Sequence, residues 1–144
     1  MVEEAQRSDD GFETGGILLG HLVDDVFVVS CAGGPGPKAI REPHFFLRDL
    51  AVARDLASAA WSANGAQWIG DWHTHPTHSL MPSPTDLRSY RTHLREEELQ
   101  FSAFLAILLR VTGARVNVAA WSVGHSTCER LVVERPDTEH EPPC

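Results

Sequence analysis

Cysteine is scarce in this chain and basic charge is in deficit, and each shortage excludes classes of protein. The three cysteines, Cys31, Cys128 and Cys144, form no CxxC pair, which disfavours a disulfide framework and a cysteine-rich zinc module. Lysine and arginine number 12 against 20 acidic residues, so the net charge is −8. This charge argues against a broad basic surface for nucleic acid and against docking on an anionic membrane. We therefore expect neither nucleic acid nor a membrane as a partner.

Long hydrophobic runs are also missing. The longest, Phe104 to Leu109, is far too short to cross a bilayer. The acidic opening MVEEAQRSDD contains no apolar stretch of the signal-peptide type. With 144 residues of ordinary composition, the chain is long enough to form one domain with a normal core. Together with the few cysteines, these features predict a cytoplasmic protein.

The hydrophobic pattern predicts a mixed sheet with two main helices. A β-hairpin is expected from Thr14 with its turn at Asp24-Asp25, and a Gly- and Pro-rich loop follows it. The predicted segments are the loop over 31–37, helices over 48–63 and from Ser83 to about Leu99, and strands over 67–72, 101–111, 115–123 and 127–133. The fold class is thus α/β in the loose sense, or α+β.

The domain organisation predicted from these elements is simple. Residues 1–11 form a polar N-terminal lead-in, with one short helical turn around Val2 to Arg7. Residues 12–133 form a single folded domain, and residues 134–144 form a mobile tail rich in charge and proline.

The run His73-Thr74-His75-Pro76, followed by Ser83 and Asp86, carries the chemistry of the chain. Two histidines at i and i+2 on an extended segment point to the same face, so their nitrogens can converge on one ion. Asp86, at the start of the next element, can supply a third ligand. Such a set leaves one of zinc's four tetrahedral positions open for water, as in catalytic zinc sites. The spacing His-x-His-x7-Ser-x2-Asp therefore predicts an enzyme with one zinc ion.

Each of these residues also has a simpler interpretation. Many His-x-His pairs are ordinary surface or core histidines. Ser83, Pro84 and Asp86 form a strong helix start, with the serine as N-cap and the carboxylate reaching back from position N3. The two interpretations are compatible, because a capped helix start is also a rigid place to mount a metal ligand.

The strand before the histidines contains two tryptophans and a carboxylate. By strict alternation Trp68 and Trp72 lie on the face opposite the histidines and pack as core. Asp71 is in phase with the histidines, so it either orients one of them or is a surface carboxylate.

Four motifs together resemble the JAMM/MPN+ (JAB) metalloproteases. They are Glu13, the strand start TGGILLG (14–20), GDWHTHP (70–76) and PSPTD (82–86). The resemblance covers roughly residues 12–133, and every motif position is filled. The compact size and the GDWHTHP segment look most like the bacterial stand-alone JAB proteins. Those are similar to enzymes encoded beside ubiquitin-like, E1-like and E2-like proteins, including some in antiviral defence operons.

The resemblance implies a role for each motif residue. His73, His75 and Asp86 would bind one zinc ion, Glu13 would be the general acid/base, and Ser83 would steady the oxyanion. The implied fold is a curved mixed β-sheet flanked by helices and related to cytidine deaminases. For Glu13 the simpler interpretation is a solvated carboxylate, because it follows an acidic lead-in.

The resemblance also implies a reaction, namely hydrolysis of the isopeptide or peptide bond after the C-terminus of a ubiquitin-like protein. The E1-like and E2-like proteins of the same operon are the further partners it suggests. Two alternatives remain open: a JAB protease that trims a sulfur-carrier protein, and a non-catalytic MPN-type scaffold that binds a partner. Scaffold versions typically lack the metal ligands, whereas all are present here. A deaminase is disfavoured because the His-x-Glu and Pro-Cys-x-x-Cys set is absent.

Overall fold

The structure, a computed structural model, describes residues 1–76 and 79–134. Its strands and helices are β1 (Gly15–Val23), β2 (Val26–Ala32), β3 (Ile40–Glu42), β4 (Phe45–Leu47), β5 (Gln67–Thr74), β6 (Phe104–Thr112), β7 (Arg115–Val123), β8 (Cys128–Leu131), α1 (Val2–Arg7), α2 (Leu50–Asn64) and α3 (Pro84–Arg95). A 3₁₀ turn, Glu97–Leu99, follows α3. The tail predicted over 134–144 lies outside the described residues apart from its first residue, so the domain limits stay a prediction.

Six strands form one mixed sheet in the order β2-β1-β5-β6-β7-β8. Neighbouring strands are antiparallel except β5 and β6, which are parallel because α3 connects them. Helices flank the sheet, and β3 and β4 form a separate small hairpin. The predicted α+β class with a curved mixed sheet is confirmed.

Two apolar clusters show where the core lies. On one face Ala5 of α1 packs against Leu18, Trp72 and Leu109, among others. On the other face Tyr90 and Leu94 of α3 pack against strand residues that include Phe104. The sheet is therefore covered on both sides, and β5 in its middle is the strand that carries the histidines.

Several element boundaries differ from those predicted. The loop expected from residue 31 begins later, because β2 pairs with β1 as far as Ala32 opposite Leu18. The β3–β4 hairpin was not predicted, since three residues a strand give too short a pattern to detect. The helix after Ser83 ends at Arg95 rather than near Leu99, where the backbone tightens into the 3₁₀ turn.

A β-bulge in β5 makes the prediction for Trp68 wrong. Leu18 pairs with Gly70 but Leu19 pairs with Trp68, so Ile69 is an extra residue that reverses the alternation before it. Trp72 is buried on the predicted face, joined there by Ile69. Trp68 instead packs edge-on against Phe104, on the face that carries α3.

Asp71 is buried, and the partners of its carboxylate are Arg48 and Trp68 rather than the histidines. Its Oδ2 lies 2.6 Å from Arg48 Nη1, and its Oδ1 accepts a hydrogen bond of 3.0 Å from Trp68 Nε1. Arg48 also lies over the Trp68 ring, 5.2 Å from its centroid. A partly buried ion pair therefore holds the chain before α2 against β5.

The cysteines differ from one another. Cys128 is a free thiol, whereas Cys31 at the end of β2 is disulfide-bonded. No helix of the described residues is long and apolar enough to cross a membrane.

Candidate metal centre

His73 and His75 lie at the end of β5, where two neighbouring strands fix the backbone. His73 is paired with Gly15 on β1 and with Leu108 on β6. Beyond the strand, the His75 N–H donates to the Leu109 carbonyl at 2.8 Å, so the extended conformation continues. Both rings therefore project to the same side, and their Nε2 atoms lie 2.9 Å apart in a buried position.

Asp86 completes the cluster from the first turn of α3. Its Oδ1 lies 3.5 Å from His73 Nε2, and its Oδ2 lies 3.4 Å from His75 Nε2. A tetrahedral zinc ion with bonds of about 2.0–2.1 Å has ligand atoms about 3.3 Å apart. The separations of 2.9, 3.4 and 3.5 Å are close to this value, so the three side chains could together hold one zinc ion.

The helix start holds Asp86 in this orientation. The Asp86 carboxylate accepts a hydrogen bond of 2.6 Å from the Ser83 N–H, and the Ser83 hydroxyl accepts one of 3.1 Å from the Asp86 N–H. This reciprocal capping box was the simpler interpretation of both residues. The same hydrogen bonds that cap the helix therefore turn the Asp86 carboxylate toward the two imidazoles.

The far nitrogens of both rings also have partners. His75 Nδ1 lies 2.9 Å from the Ser79 carbonyl oxygen, and His73 Nδ1 lies 3.4 Å from the Tyr90 hydroxyl. Metal-binding histidines usually donate their second N–H to such a group, which orients the ring. Both rings are thus supported on the side away from the cluster.

Glu13 is brought to the cluster by the start of β1. The Thr14 N–H donates to the Thr74 hydroxyl at 2.9 Å, and the Thr74 N–H donates to the Thr14 carbonyl at 2.8 Å. Gly15 permits this approach, because a Cβ there would lie 2.8 Å from the His73 Cβ. Glu13 itself is 7% exposed, so it is not the solvated carboxylate of the simpler interpretation.

Arg41 on β3 is a residue of this region that the sequence did not reveal. Its guanidinium donates to the Glu13 carbonyl oxygen at 3.2 Å, to the Ser8 carbonyl at 3.1 Å and to both Asp10 oxygens. The Glu13 N–H in turn donates to the Glu42 carbonyl at 2.9 Å. The short hairpin thus holds the backbone of the segment that carries Glu13.

The electrostatics of the cluster favour a cation. Burial raises the pKa of Glu13, and Asp86 raises it further, against the opposing effect of the two histidines. Burial also acts to raise the pKa of Asp86, but hydrogen bonds from His73 and His75 hold it well below its usual range. Burial acts to lower the pKa of His75, yet the bond to Asp86 leaves it raised. A buried carboxylate whose pKa is held low thus faces two imidazole nitrogens, which is a setting that stabilises a cation.

Comparison with known proteins agrees with this arrangement. Residues 1–124 match the family described as prokaryotic homologs of the JAB domain. A relative named "Probable metalloprotease y4qB", from Sinorhizobium fredii, is 34% identical over 142 residues, covering 96% of this chain and 85% of the relative. A relative from Enterobacter hormaechei, named "CD-NTase/cGAS isopeptidase", is 31% identical over 112 residues and covers 76% of this chain. The match spans 61% of that relative's length.

Solved structures show the same fold. A solution structure of a protein from Desulfitobacterium hafniense superposes with a TM-score of 0.70, covering 97% of this chain and 89% of that chain at 18% identity. A second, from Salinibacter ruber, gives a TM-score of 0.57 at 26% identity and covers 97% of this chain and 90% of that chain.

Proposed function

Since the chain belongs to the prokaryotic JAB family, we propose that it is a zinc-dependent isopeptidase or peptidase that cleaves the bond after the C-terminus of a ubiquitin-like protein. The observation that carries this proposal is the convergence of His73, His75 and Asp86, whose ligand atoms all lie within 4.8 Å of one another. Glu13 is buried, and the charges of all three side chains act on its pKa. The relatives named isopeptidases support a conjugate as the substrate.

The proposed chemistry divides between the ion and the side chains. A zinc ion held by His73, His75 and Asp86 would lower the pKa of a coordinated water to about 7 and would polarise the scissile carbonyl. Glu13 accepts the proton of the attacking water and later delivers it to the leaving amine. The raised pKa of Glu13 suits both steps, because a base that must also act as an acid works best near the operating pH.

Ser83 is proposed to donate a hydrogen bond to the oxyanion. Its oxygen accepts from the Asp86 N–H, and none of the hydrogen bonds among the described residues uses its hydroxyl proton, which can therefore be donated. Ser83 is half-buried and is hydrogen-bonded to Asp86. A substrate carbonyl bound next to the three side chains could therefore reach its hydroxyl.

The proposal extends to the partners and the location of the protein. A ubiquitin-like protein is the substrate, and E1-like and E2-like proteins of the same operon act before this enzyme to make the conjugate. The cytoplasmic location expected from the sequence stays a prediction.

Cleavage of a ubiquitin-like fusion tests the proposed function. A ubiquitin-like protein, joined through its C-terminus to a reporter, is incubated with the full chain with and without a chelator. We expect release of the reporter, loss of release with chelator, and recovery when zinc is restored. A sulfur-carrier protein joined to the same reporter is the parallel substrate. Cleavage of that fusion alone would favour the trimming alternative, and zinc-free protein without cleavage would favour a scaffold.

Removing the Ser83 hydroxyl is expected to slow the reaction without unfolding the helix. Glycine at an N-cap costs only a few tenths of a kcal/mol relative to serine. Loss of one oxyanion donor lowers kcat by about 10²–10³. We therefore expect Ser83→Gly to lose most of its kcat at a nearly unchanged melting temperature, whereas Ser83→Thr, which keeps the hydroxyl, stays close to the wild type. Equal kcat in the two variants would leave Ser83 with a capping role alone.

Arg41→Met is expected to lower kcat while leaving zinc content unchanged. The variant loses the guanidinium that holds the Glu13 carbonyl and the segment before it. A displaced catalytic group typically costs roughly tenfold to a hundredfold. Arg54→Met on the exposed side of α2 is the matched control. Steady-state kinetics and metal analysis of both variants check the expectation, and a kcat equal to that of the control would show that Arg41 does not position Glu13.

A further inference from the structure

Tyr90, the single tyrosine of the chain, places a hydroxyl beside the cluster of His73, His75 and Asp86. Its side chain is 3% exposed, and its ring stacks on Phe104 with the centroids 4.7 Å apart and 21° between the planes. Tyr90 lies four residues after Asp86 on α3, so both side chains leave the helix on the same face. That face is the one turned toward His73.

The ring of Tyr90 is explained by packing, but its hydroxyl is not. A phenylalanine would fill the same space against Phe104 without bringing a polar group into the core. Burying a hydroxyl is unfavourable unless it is hydrogen-bonded. Its partner is His73 Nδ1 at 3.4 Å, a long bond of the kind that tightens when a bound ligand fixes both groups.

The protonation of the two rings gives this bond a direction. Their Nε2 atoms face each other at 2.9 Å, so without an ion one of them carries a proton. An ion held by both Nε2 atoms requires both to be unprotonated, which leaves each ring with its proton on Nδ1. For His75 the Ser79 carbonyl accepts that proton. For His73 the acceptor is the Tyr90 hydroxyl.

We propose that Tyr90 is a positioning residue of the metal centre. Its hydroxyl accepts a hydrogen bond from His73 Nδ1–H and thereby keeps the His73 Nε2 lone pair directed at His75 and Asp86. The inference rests on the proposed function, because it requires an ion at the cluster. It goes further in naming the group that selects the metal-binding tautomer of one particular ligand.

Zinc affinity is the first test, and it needs no substrate. Wild-type protein, Tyr90→Phe and Ser89→Ala are stripped of metal and titrated with zinc in competition with a chromophoric chelator. Tyr90→Phe keeps the stacked ring and loses only the hydroxyl, so we expect its Kd for zinc to rise about 10- to 100-fold. Ser89→Ala removes an exposed hydroxyl from the same helix and should match the wild type. Circular dichroism checks that both variants are folded.

The second test keeps Tyr90 in place and follows its resonance by NMR. Full-length protein labelled with ¹³Cζ-tyrosine has one tyrosine resonance, because Tyr90 is the only tyrosine. We expect zinc to shift that resonance in the wild type and to leave it unmoved in His73→Ala. This readout would register the hydrogen bond even if Tyr90→Phe failed to fold.

The outcomes separate this inference from the function on which it rests. If the wild type binds zinc and cleaves its substrate while Tyr90→Phe binds zinc equally well, the positioning role is overturned and the proposed function stands. A resonance that zinc leaves unmoved in the wild type would overturn the role in the same way. A wild-type protein that binds no zinc would overturn both.

Discussion

Replacing Glu13 by glutamine is expected to abolish nearly all turnover while the protein keeps its zinc. The amide has the size of the carboxylate but cannot accept a proton from water or return one to the leaving amine. Loss of a general acid/base typically costs about 10²–10⁴ in rate. Because Glu13 is not among the three proposed ligands, metal analysis of the purified variant should match the wild type. Single-turnover kinetics on the ubiquitin-like fusion measure the loss.

The stability of the same variant should also depend on pH in a way that a misfolded protein would not show. Burial raises the pKa of Glu13, so its ionised form is less favourable in the folded chain than in the unfolded one. At neutral pH, metal-free Glu13→Gln should therefore be at least as stable as the metal-free wild type. The difference should vanish as the pH falls below the ordinary glutamate value of 4.5, where both side chains are neutral.

Glu42→Gln is the matched control for this prediction. Glu42 lies on β3 and its side chain is exposed. The kcat and the stability of the Glu42→Gln variant should therefore stay close to those of the wild type. Hydrolysis by Glu13→Gln at a rate comparable with this control would show that another group moves the proton.

Replacing His75 by alanine is expected to remove the metal and, with it, the activity. The residue is 2% exposed and is proposed to supply one of three protein ligands, with its Nε2 atom 3.4 Å from an Asp86 oxygen. Loss of a supporting group outside the ligand shell costs about 10- to 100-fold in affinity, and loss of a ligand itself should exceed that. Zinc analysis after dialysis should find the variant almost free of metal.

His125→Ala is the control for the histidine variant. His125 lies in the exposed turn between β7 and β8, so its removal tests whether zinc analysis responds to histidine content alone. We expect His125→Ala to retain the wild-type stoichiometry. A full complement of zinc in His75→Ala, with the variant folded, would mean that the ion is bound elsewhere.

The parts of the site that the sequence predicted are those encoded locally. The His-x-His pair needs only a strand to bring two imidazoles to one side, and the structure places both at the end of β5. Likewise, the Ser83-to-Asp86 spacing predicts a capping box, and its hydrogen bonds are present. For both features a few adjacent residues fix the geometry, so tertiary contacts have little to add.

The parts that were missed depend on contacts between distant segments. The bulge at Ile69 reverses the alternation of side chains along β5. The sequence pattern does not reveal it, because both faces of the sheet are covered and an apolar residue fits on either of them. The pair between Arg48 and Asp71 joins residues 23 apart. Arg41 reaches the Glu13 segment across 28 residues from a hairpin too short to be detected. Such contacts follow from the folded topology rather than from local pattern.

Tyr90 lies between these two cases. Its position four residues after Asp86 could have indicated that it lies on the side of α3 that faces the two histidines. The spacing does not predict how β5 lies against α3. That packing places His73, rather than Asp71, next to the Tyr90 hydroxyl.

Diffraction at the zinc absorption edge tests the central claim most directly. Crystals of the full chain grown with zinc should show one strong anomalous peak, about 2.0–2.2 Å from His73 Nε2, His75 Nε2 and an Asp86 carboxylate oxygen. That result would establish the three-ligand centre on which the proposed hydrolysis depends. A map with no peak among these three side chains, or with zinc held only by other residues, would contradict the account.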